Sequence, residues 1–409
     1  MRFATDSTWK RTGDAGQLVL AGSPLRVFRL THAGADVCAA IETGDDVAPS
    51  SLVERLLDAG AIHPLPPRAP ATVRRGDVTV VTPQLGGSVR PDRDVTVDDG
   101  SEPPLDGAST RLSTNRGPAA ARNTGRGLVS SDLIAFVDAD VDLPEEDWLE
   151  RLLPHFDDER VGLVAPRVVG DPTASLDLGD EPARIRAGSR VSYVPAAAIV
   201  VRATAFDDVG GFDERLRFGE DVDFVWRLDQ AGWRCRYVPD TIVHHTPRST
   251  WRARLRQQVG YGSSAAPLAQ RHPRLLAPIR MNRWMAGGWA AIGLGHPVAG
   301  IACLVGNGID VTRLLPDVPR REIAHLTAAS HLAIARQLAA TIRRVWWPLA
   351  VLGCLVSRRI RLLTLAAALT DVRAVPTDTA HGWGVWRGVV ARRVLTPILP
   401  TLTAWPPGR

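Results

Sequence analysis

The run Leu133-Ile134-Ala135-Phe136-Val137, met at once by Asp138-Ala139-Asp140, is the strongest constraint in this 409-residue chain. Five successive apolar residues are too few for a core helix and too continuous for a half-exposed strand. They predict a strand covered on both faces, as in a parallel sheet between helical layers. Val78–Val81, Asp94–Val97, Val161–Ala165, Ala196–Val201 and Arg234–Val238 read as further strands, the first stopped by Pro83. Pro118–Val129 reads as a helix with proline in its first turn. Glu145-Glu146-Asp147 opens another, whose Leu149, Leu152, Leu153 and Phe156 fall at helical spacing. Alternating strands and helices predict an α/β domain with a mainly parallel central sheet.

Residues 1–65 read as a separate small module. Gln17–Leu20, Gly22-Ser23-Pro24 and Leu25–Leu30 predict a hairpin. Two helices follow, Ala33–Ile41 and Ser50–Ala59, the second with Ser51 and Glu54 as a capping box and Gly60 as its stop. Strands plus helices in this length suggest a winged-helix-like unit. Nucleic acid is not its expected partner: residues 1–70 carry 7 basic and 8 acidic groups, no basic face for phosphates. The proline-rich stretch 66–77 reads as a linker.

Charge is divided sharply along the chain. Residues 250–409 hold 21 arginines against 5 acids, a net +16, while the other 28 basic groups face 39 acids, a net −11. A basic tail of this kind calls for an anionic partner or a membrane surface. Trp284–Ile309 runs 26 residues without a charged side chain, long enough to span a bilayer, although its glycines and His296-Pro297 weigh against one span; Val345–Ser357 with Ile360–Leu369 is a second apolar stretch, and a buried helical subdomain is the alternative. Residues 267–409 are therefore expected to form a helical, membrane-associated tail at the cytoplasmic face of the cell membrane. Composition is otherwise globular, 45% hydrophobic and 23% charged, which excludes a disordered chain. Four scattered cysteines without C-x-x-C exclude a zinc ribbon and suit a reducing compartment, and the N-terminus shows no secretory leader.

Five polar clusters carry the chemistry. Asp98-Asp99-Gly100-Ser101 follows a strand, where α/β sheets bind ligands, although a simple Asx turn would look the same. Asp138 and Asp140, alternate residues on an extended segment, would share a face and repel unless a divalent cation sits between them and a diphosphate. Asn115-Arg116-Gly117-Pro118 opens a small-residue helix suited to an anion, and Arg122 within it could meet phosphate or a base carbonyl. Gly219-Glu220-Asp221 opens a helix whose dipole favours ionised carboxylate, as a general base requires. His244-His245 could complete a divalent site made of carboxylates.

In this order, from Val78 to about Ala266, these clusters resemble a family 2 glycosyltransferase with the GT-A fold. Gly210-Gly211-Phe212-Asp213-Glu214 followed by Gly219-Glu220-Asp221-Val222-Asp223 is especially typical. The N-terminal unit resembles a peptide-binding PqqD-like module. Asn115–Asn123, Val191-Ser192-Tyr193-Val194-Pro195 and Tyr261-Gly262-Ser263-Ser264-Ala265-Ala266-Pro267-Leu268 are similar to the mycofactocin-system glycosyltransferases of actinobacteria. The resemblance implies a nucleotide-sugar donor such as UDP-glucose, a divalent metal (Mn²⁺ or Mg²⁺) and a peptide-derived acceptor, premycofactocin. It implies that Asp99 meets uracil or ribose, with Pro83, Asp98, Asn115, Arg122 and Asp138 also at the donor. Asp138 and Asp140 would hold metal and diphosphate, with His244 or His245 near the metal. Asp221 would be the base, beside Glu220. One departure stands out: Val81 to Val95 leaves room for only a stub of the helix that family members place there. A catalytically impaired scaffold that binds a peptide or cofactor precursor is the alternative.

Overall fold

The computed structural model describes every residue except 14–15, 67–71, 145–147, 171–175, 247–249, 274 and 404–409. Two compact units divide it, residues 1–247 and 248–409.

In the first unit, β1 (Phe3–Thr5), β2 (Lys10–Thr12), β3 (Leu18–Ala21), β4 (Arg26–Arg29), α1 (His32–Thr43), α2 (Ser51–Asp58) and β5 (Ile62–Pro64) form the N-terminal module. β2, β3 and β4 make an antiparallel sheet and β1 pairs with β5. Phe3, Val19, Phe28, Ile41, Leu56 and Ile62 fill its core. The cap of α2 is Ser50, whose hydroxyl accepts from Val53 N, not the expected Ser51. Arginines fasten the module to the sheet behind it: Arg184 and Arg234 each donate to Asp58, at 2.8 and 2.9 Å, and Arg190 to Asp6 at 2.9 Å. Part of the expected linker lies outside the described residues.

The central sheet and its helices follow with β6 (Val78–Gln84), β7 (Val95–Asp98), β8 (Thr110–Arg111), α3 (Pro118–Arg126), β9 (Leu133–Val137), β10 (Val141–Asp142), β11 (Val161–Val169), β12 (Ala183–Arg184), β13 (Ala198–Arg202), α4 (Ala203–Asp208), α5 (Glu220–Gln230) and β14 (Arg234–His245). The sheet order is β10-β14-β11-β13-β9-β6-β7-β8, with β12 on β14. Six strands run one way and β10, β12 and β13 run the other. β9 is buried along its whole length, as its unbroken apolarity requires. This is the α/β, mainly parallel GT-A-type architecture.

Three local expectations are corrected. β6 does not stop at Pro83: pairing with β9 ends at Val81, and beyond it Pro83 faces only β7, where its missing N–H is tolerated. No stub of helix forms between β6 and β7. A polar loop replaces it, with Gln84 Nε2 donating to the Gly86 and Ser88 carbonyls and Val80 N donating to Asp94. The helix expected from Glu145 begins outside the described residues, and the rest is turns and a 3₁₀ segment, Leu153–Asp157. Leu149, Leu152, Leu153 and Phe156 are nevertheless all buried. Pro154, in the first turn of that 3₁₀ segment, has no N–H for an α-helical bond.

The second unit holds α6 (Trp251–Ser263), α7 (Ala265–Arg271), β15 (Arg280–Asn282), α8 (Arg283–Gly293), α9 (Pro297–Leu314), α10 (Arg320–Arg344), α11 (Trp347–Val356), α12 (Arg358–Leu369), α13 (Val375–Arg392) and β16 (Thr401–Thr403). Its boundary lies before residue 267 because α6 packs on α13 through glycine. A Cβ on Gly262 would lie 1.9 Å from His381 O, and one on Gly384 2.1 Å from Val259 O. The uncharged run from Trp284 is not one span: the chain turns at Gly295-His296, between α8 and α9. Among the described residues no single helix is long and apolar enough to cross a membrane; α10 and α11 together meet that test but are bent by 87°.

Candidate active site

Three elements converge at one rim of the sheet. β9 ends at Val137 and is followed at once by Asp138, whose N–H donates to Ala197 O at 2.8 Å. α3 lies close on β6 and β7 and brings Arg122 to the same place. α5 starts from Gly219, held at a left-handed φ of 79° that glycine adopts without cost, and sets Glu220 and Asp221 in its first turn.

Arg122 is the centre of this rim, its side chain 3% exposed. Its guanidinium donates to Asp138 Oδ1 at 2.6 Å, Glu220 Oε1 at 3.3 Å and the Ala196 carbonyl at 3.3 Å. It also lies 5.3 Å from the centroid of the Phe212 ring, which stacks in turn on Phe224. Burial opposes the charge on Arg122, but Asp138 and Glu220 hold its pKa above the ordinary value. Burial, then the neighbouring Asp221, push Glu220 up to about 7 against the pull of Arg122. Burial likewise raises Asp138, with Arg122 opposing, and raises Asp221. Asp221 sits at the helix mouth, half-buried, accepting from Val222 N at 2.8 Å.

The other expected site residues separate into those at the rim and those turned away. Asp138 and Asp140 do not share a face, because the strand ends at Val137 and Val141 N closes a turn onto Asp138 O. Asp138 turns in to Arg122; Asp140 turns out, 53% exposed, with His245 Nε2 at 3.4 Å from its Oδ2. His244 and His245 are the last residues of β14 rather than a loop beyond it, so they point to opposite sides. His245 reaches Asp140, while His244 is exposed. Among the described residues no three His, Cys, Asp or Glu side chains form a ready-made cation cage, so the expected four-residue metal set is not assembled. Asp98 is fully buried and accepts from Ser101 N and Leu105 N, with Arg111 beside it, which makes it an anchor of its own turn rather than a donor contact. Asp99 accepts from Arg116 N and Gly117 N, at 2.7 and 2.8 Å, and so fixes the entry to α3. Half-buried Pro83 and exposed Asn115 lie at the same strand ends, and Asn115 accepts from Arg217.

Sequence reasoning missed three parts. The Ala196 carbonyl and the Phe212 ring seat Arg122; both lie in stretches that the sequence marks, an apolar run and a glycine-rich motif, but neither signal shows that they meet Arg122. The third is the loop that replaces the first helix. Arg93, its side chain fully buried, donates to the Val141 carbonyl at 2.8 Å, and Arg90 donates to Asp142 at 2.7 Å. They strap down the segment just after Asp140; arginines in a connection too short for a helix were the available sign.

Residues 95–181 match the model of glycosyl transferase family 2. The chain is 37% identical over 450 aligned residues, covering 95% of both chains, to the pre-mycofactocin glycosyltransferase of Mycobacterium tuberculosis. It is 45% identical over 64 residues, 15% of this chain and 21% of the relative, to the N-acetylglucosaminyl-diphospho-decaprenol L-rhamnosyltransferase of the same species. Among solved structures, the mannosyltransferase PcManGT from Pyrobaculum calidifontis, in complex with GDP-Man and Mn²⁺, aligns at 17% identity and a TM-score of 0.41, over 82% of this chain and 92% of that one. The match over 95% of both chains, together with the acidic rim on a GT-A-type sheet, shows that this chain is a glycosyltransferase, carries a glycosyl transferase family 2 domain and belongs to the family of the mycobacterial pre-mycofactocin glycosyltransferase.

Proposed function

We propose that this enzyme moves glucose from UDP-glucose onto a hydroxyl of premycofactocin, with inversion, and repeats the step to build oligoglycosylated forms. The observation that carries the reading is the convergence of Asp138, Glu220 and Asp221 around the single buried guanidinium of Arg122. Three carboxylates against one cation leave negative charge where a diphosphate would lie, so the rim suits a donor only together with a cation. Asp140 and His245 would hold it: their donor atoms are 3.4 Å apart, a spacing that two neighbouring ligands of one ion can adopt. Two protein ligands are enough where substrate phosphates and water complete the shell. When bound, such an ion would neutralise the charge gathering on the diphosphate as the sugar departs.

The chain's own residues supply the rest. Arg122, held by Glu220, fixes the Asp138 carboxylate. Asp221 is the base: it lies at the mouth of the rim, and its raised pKa brings it nearer to working pH. Taking the acceptor proton as the hydroxyl attacks the face opposite the leaving group, it turns an α-linked donor into a β-linked product. Glu220, tied to Arg122, is a positioning residue. Residues 1–65 would present the peptide-derived acceptor as a PqqD-like module, the sheet from residue 78 to the end of the first unit would carry the transfer, and the basic second unit would keep the enzyme at the cytoplasmic face of the membrane. The missing helix between β6 and β7 favours one rival, an inactive scaffold. Titration calorimetry with UDP-glucose and Mn²⁺ decides: binding heat that requires Mn²⁺ supports the enzyme, and no heat supports the scaffold.

A further inference from the structure

Hairpin geometry in the second unit leaves two apolar ends facing outward. α8 and α9 fold back on each other, with Asn282 donating to Asn307 at 2.8 Å and Trp284 to Asp310 at 2.7 Å at their polar base. The turn at the other end carries Leu294 and Val298, 67% and 81% exposed. α11 and α12 double back about Ser357, with Cys354 Sγ 3.6 Å from Thr364 Oγ1, and their turn carries Leu355 and Val356, 80% and 86% exposed. The two turns adjoin, because Arg359 donates to the Leu294 carbonyl. α11, ten residues that include no charged side chain, buries none of them. Soluble proteins rarely leave such a patch to water.

The surrounding charge identifies the occupant. No Asp or Glu occurs between Glu322 and Asp371, while Arg358, Arg359 and Arg361 stand exposed beside the turns. Apolar tips ringed by guanidinium match the boundary between anionic headgroups and acyl chains. We propose that the two adjoining turns are an insertion tip that enters one leaflet of an anionic membrane to that boundary and does not cross it. At ten residues α11 is about 15 Å long, roughly half the hydrocarbon thickness of a bilayer. The inference deepens the membrane-face reading above and rests on it; attraction by surface charge alone would satisfy that reading but not this one.

The test floats the purified full-length protein with vesicles of phosphatidylcholine, alone or mixed with phosphatidylglycerol, and follows hydrogen exchange in the bound form. The expected result is binding to the anionic vesicles that persists in part at high salt, with protection gained around residues 294–298 and 349–356. The double substitution Leu355→Glu, Val356→Glu lowers partitioning by on the order of a hundredfold, since two exposed apolar side chains lose their burial in lipid. Its melting temperature stays unchanged, because neither side chain is part of the core. Complete release by salt, with no new protection in the turns, overturns insertion and leaves membrane attachment standing. No vesicle binding overturns both. A concentration-dependent dimer that protects the same turns without lipid shows that a second copy covers them, and overturns the proposal.

Discussion

Replacing Arg122 by methionine removes the charge at the centre of the rim and keeps most of its bulk. The side chain is 3% exposed and bonds Asp138 at 2.6 Å and Glu220 at 3.3 Å. Deleting one partner of a buried pair costs about 3–5 kcal/mol, because the surviving charges stay buried without their cation. In a unit of this size that lowers the melting temperature by on the order of 10 °C. The loss has a pH signature. Glu220 already has its folded pKa raised, from 4.5 to about 7, so its contribution to stability is complete below 4.5 and is lost as pH rises through 7. Without Arg122, Asp138 and Glu220 both move further up. The penalty of Arg122→Met is therefore greatest near pH 8 and shrinks towards pH 5, by about 1.4 kcal/mol for each unit of added shift. Urea unfolding followed by tryptophan fluorescence at both pH values measures it. An equal loss at both would mean that Arg122 matters only as packing, and the charge argument would fail.

Three further outcomes are expected. Asp221→Asn lowers turnover by roughly 10²–10⁴ while leaving the affinity for donor nearly intact, read as separate kcat and donor-binding measurements. Arg93→Met frees the Val141 carbonyl and loosens the turn that carries Asp140, so steady-state kinetics should show a donor KM several-fold higher with kcat little changed, and unfolding a loss of about 1–3 kcal/mol. Gly125→Ala puts a Cβ 2.3 Å from Val81 Cγ1, forcing α3 off the sheet at a cost of about 1–3 kcal/mol in the urea midpoint.

How far the sequence could be read depended on whether a feature was local. An unbroken apolar run dictated a doubly covered strand at Leu133–Val137, and the order of acidic clusters was enough to point to the family. Side-chain direction was another matter. The alternation rule for Asp138 and Asp140 assumed that the strand continued, but it ended one residue earlier, and the same rule applied to the longer β14 separates His244 from His245. Asp98 looked like a ligand because acids at strand ends often are; its capture by Ser101 N and Leu105 N depends on a turn that spacing does not reveal. The tail misled in a different way. Its uncharged run has the length of a span, but Gly295-His296-Pro297, turn residues already visible in the sequence, break it into a hairpin, so their signal outweighs length.

Mass spectrometry of the acceptor after incubation with the enzyme, UDP-glucose and Mn²⁺ tests the central claim most directly. The account predicts premycofactocin carrying one or more added hexosyl units, formed only when the cation is present and almost absent with Asp221→Asn. Unmodified premycofactocin with the native enzyme, or equal product from the variant, would contradict it.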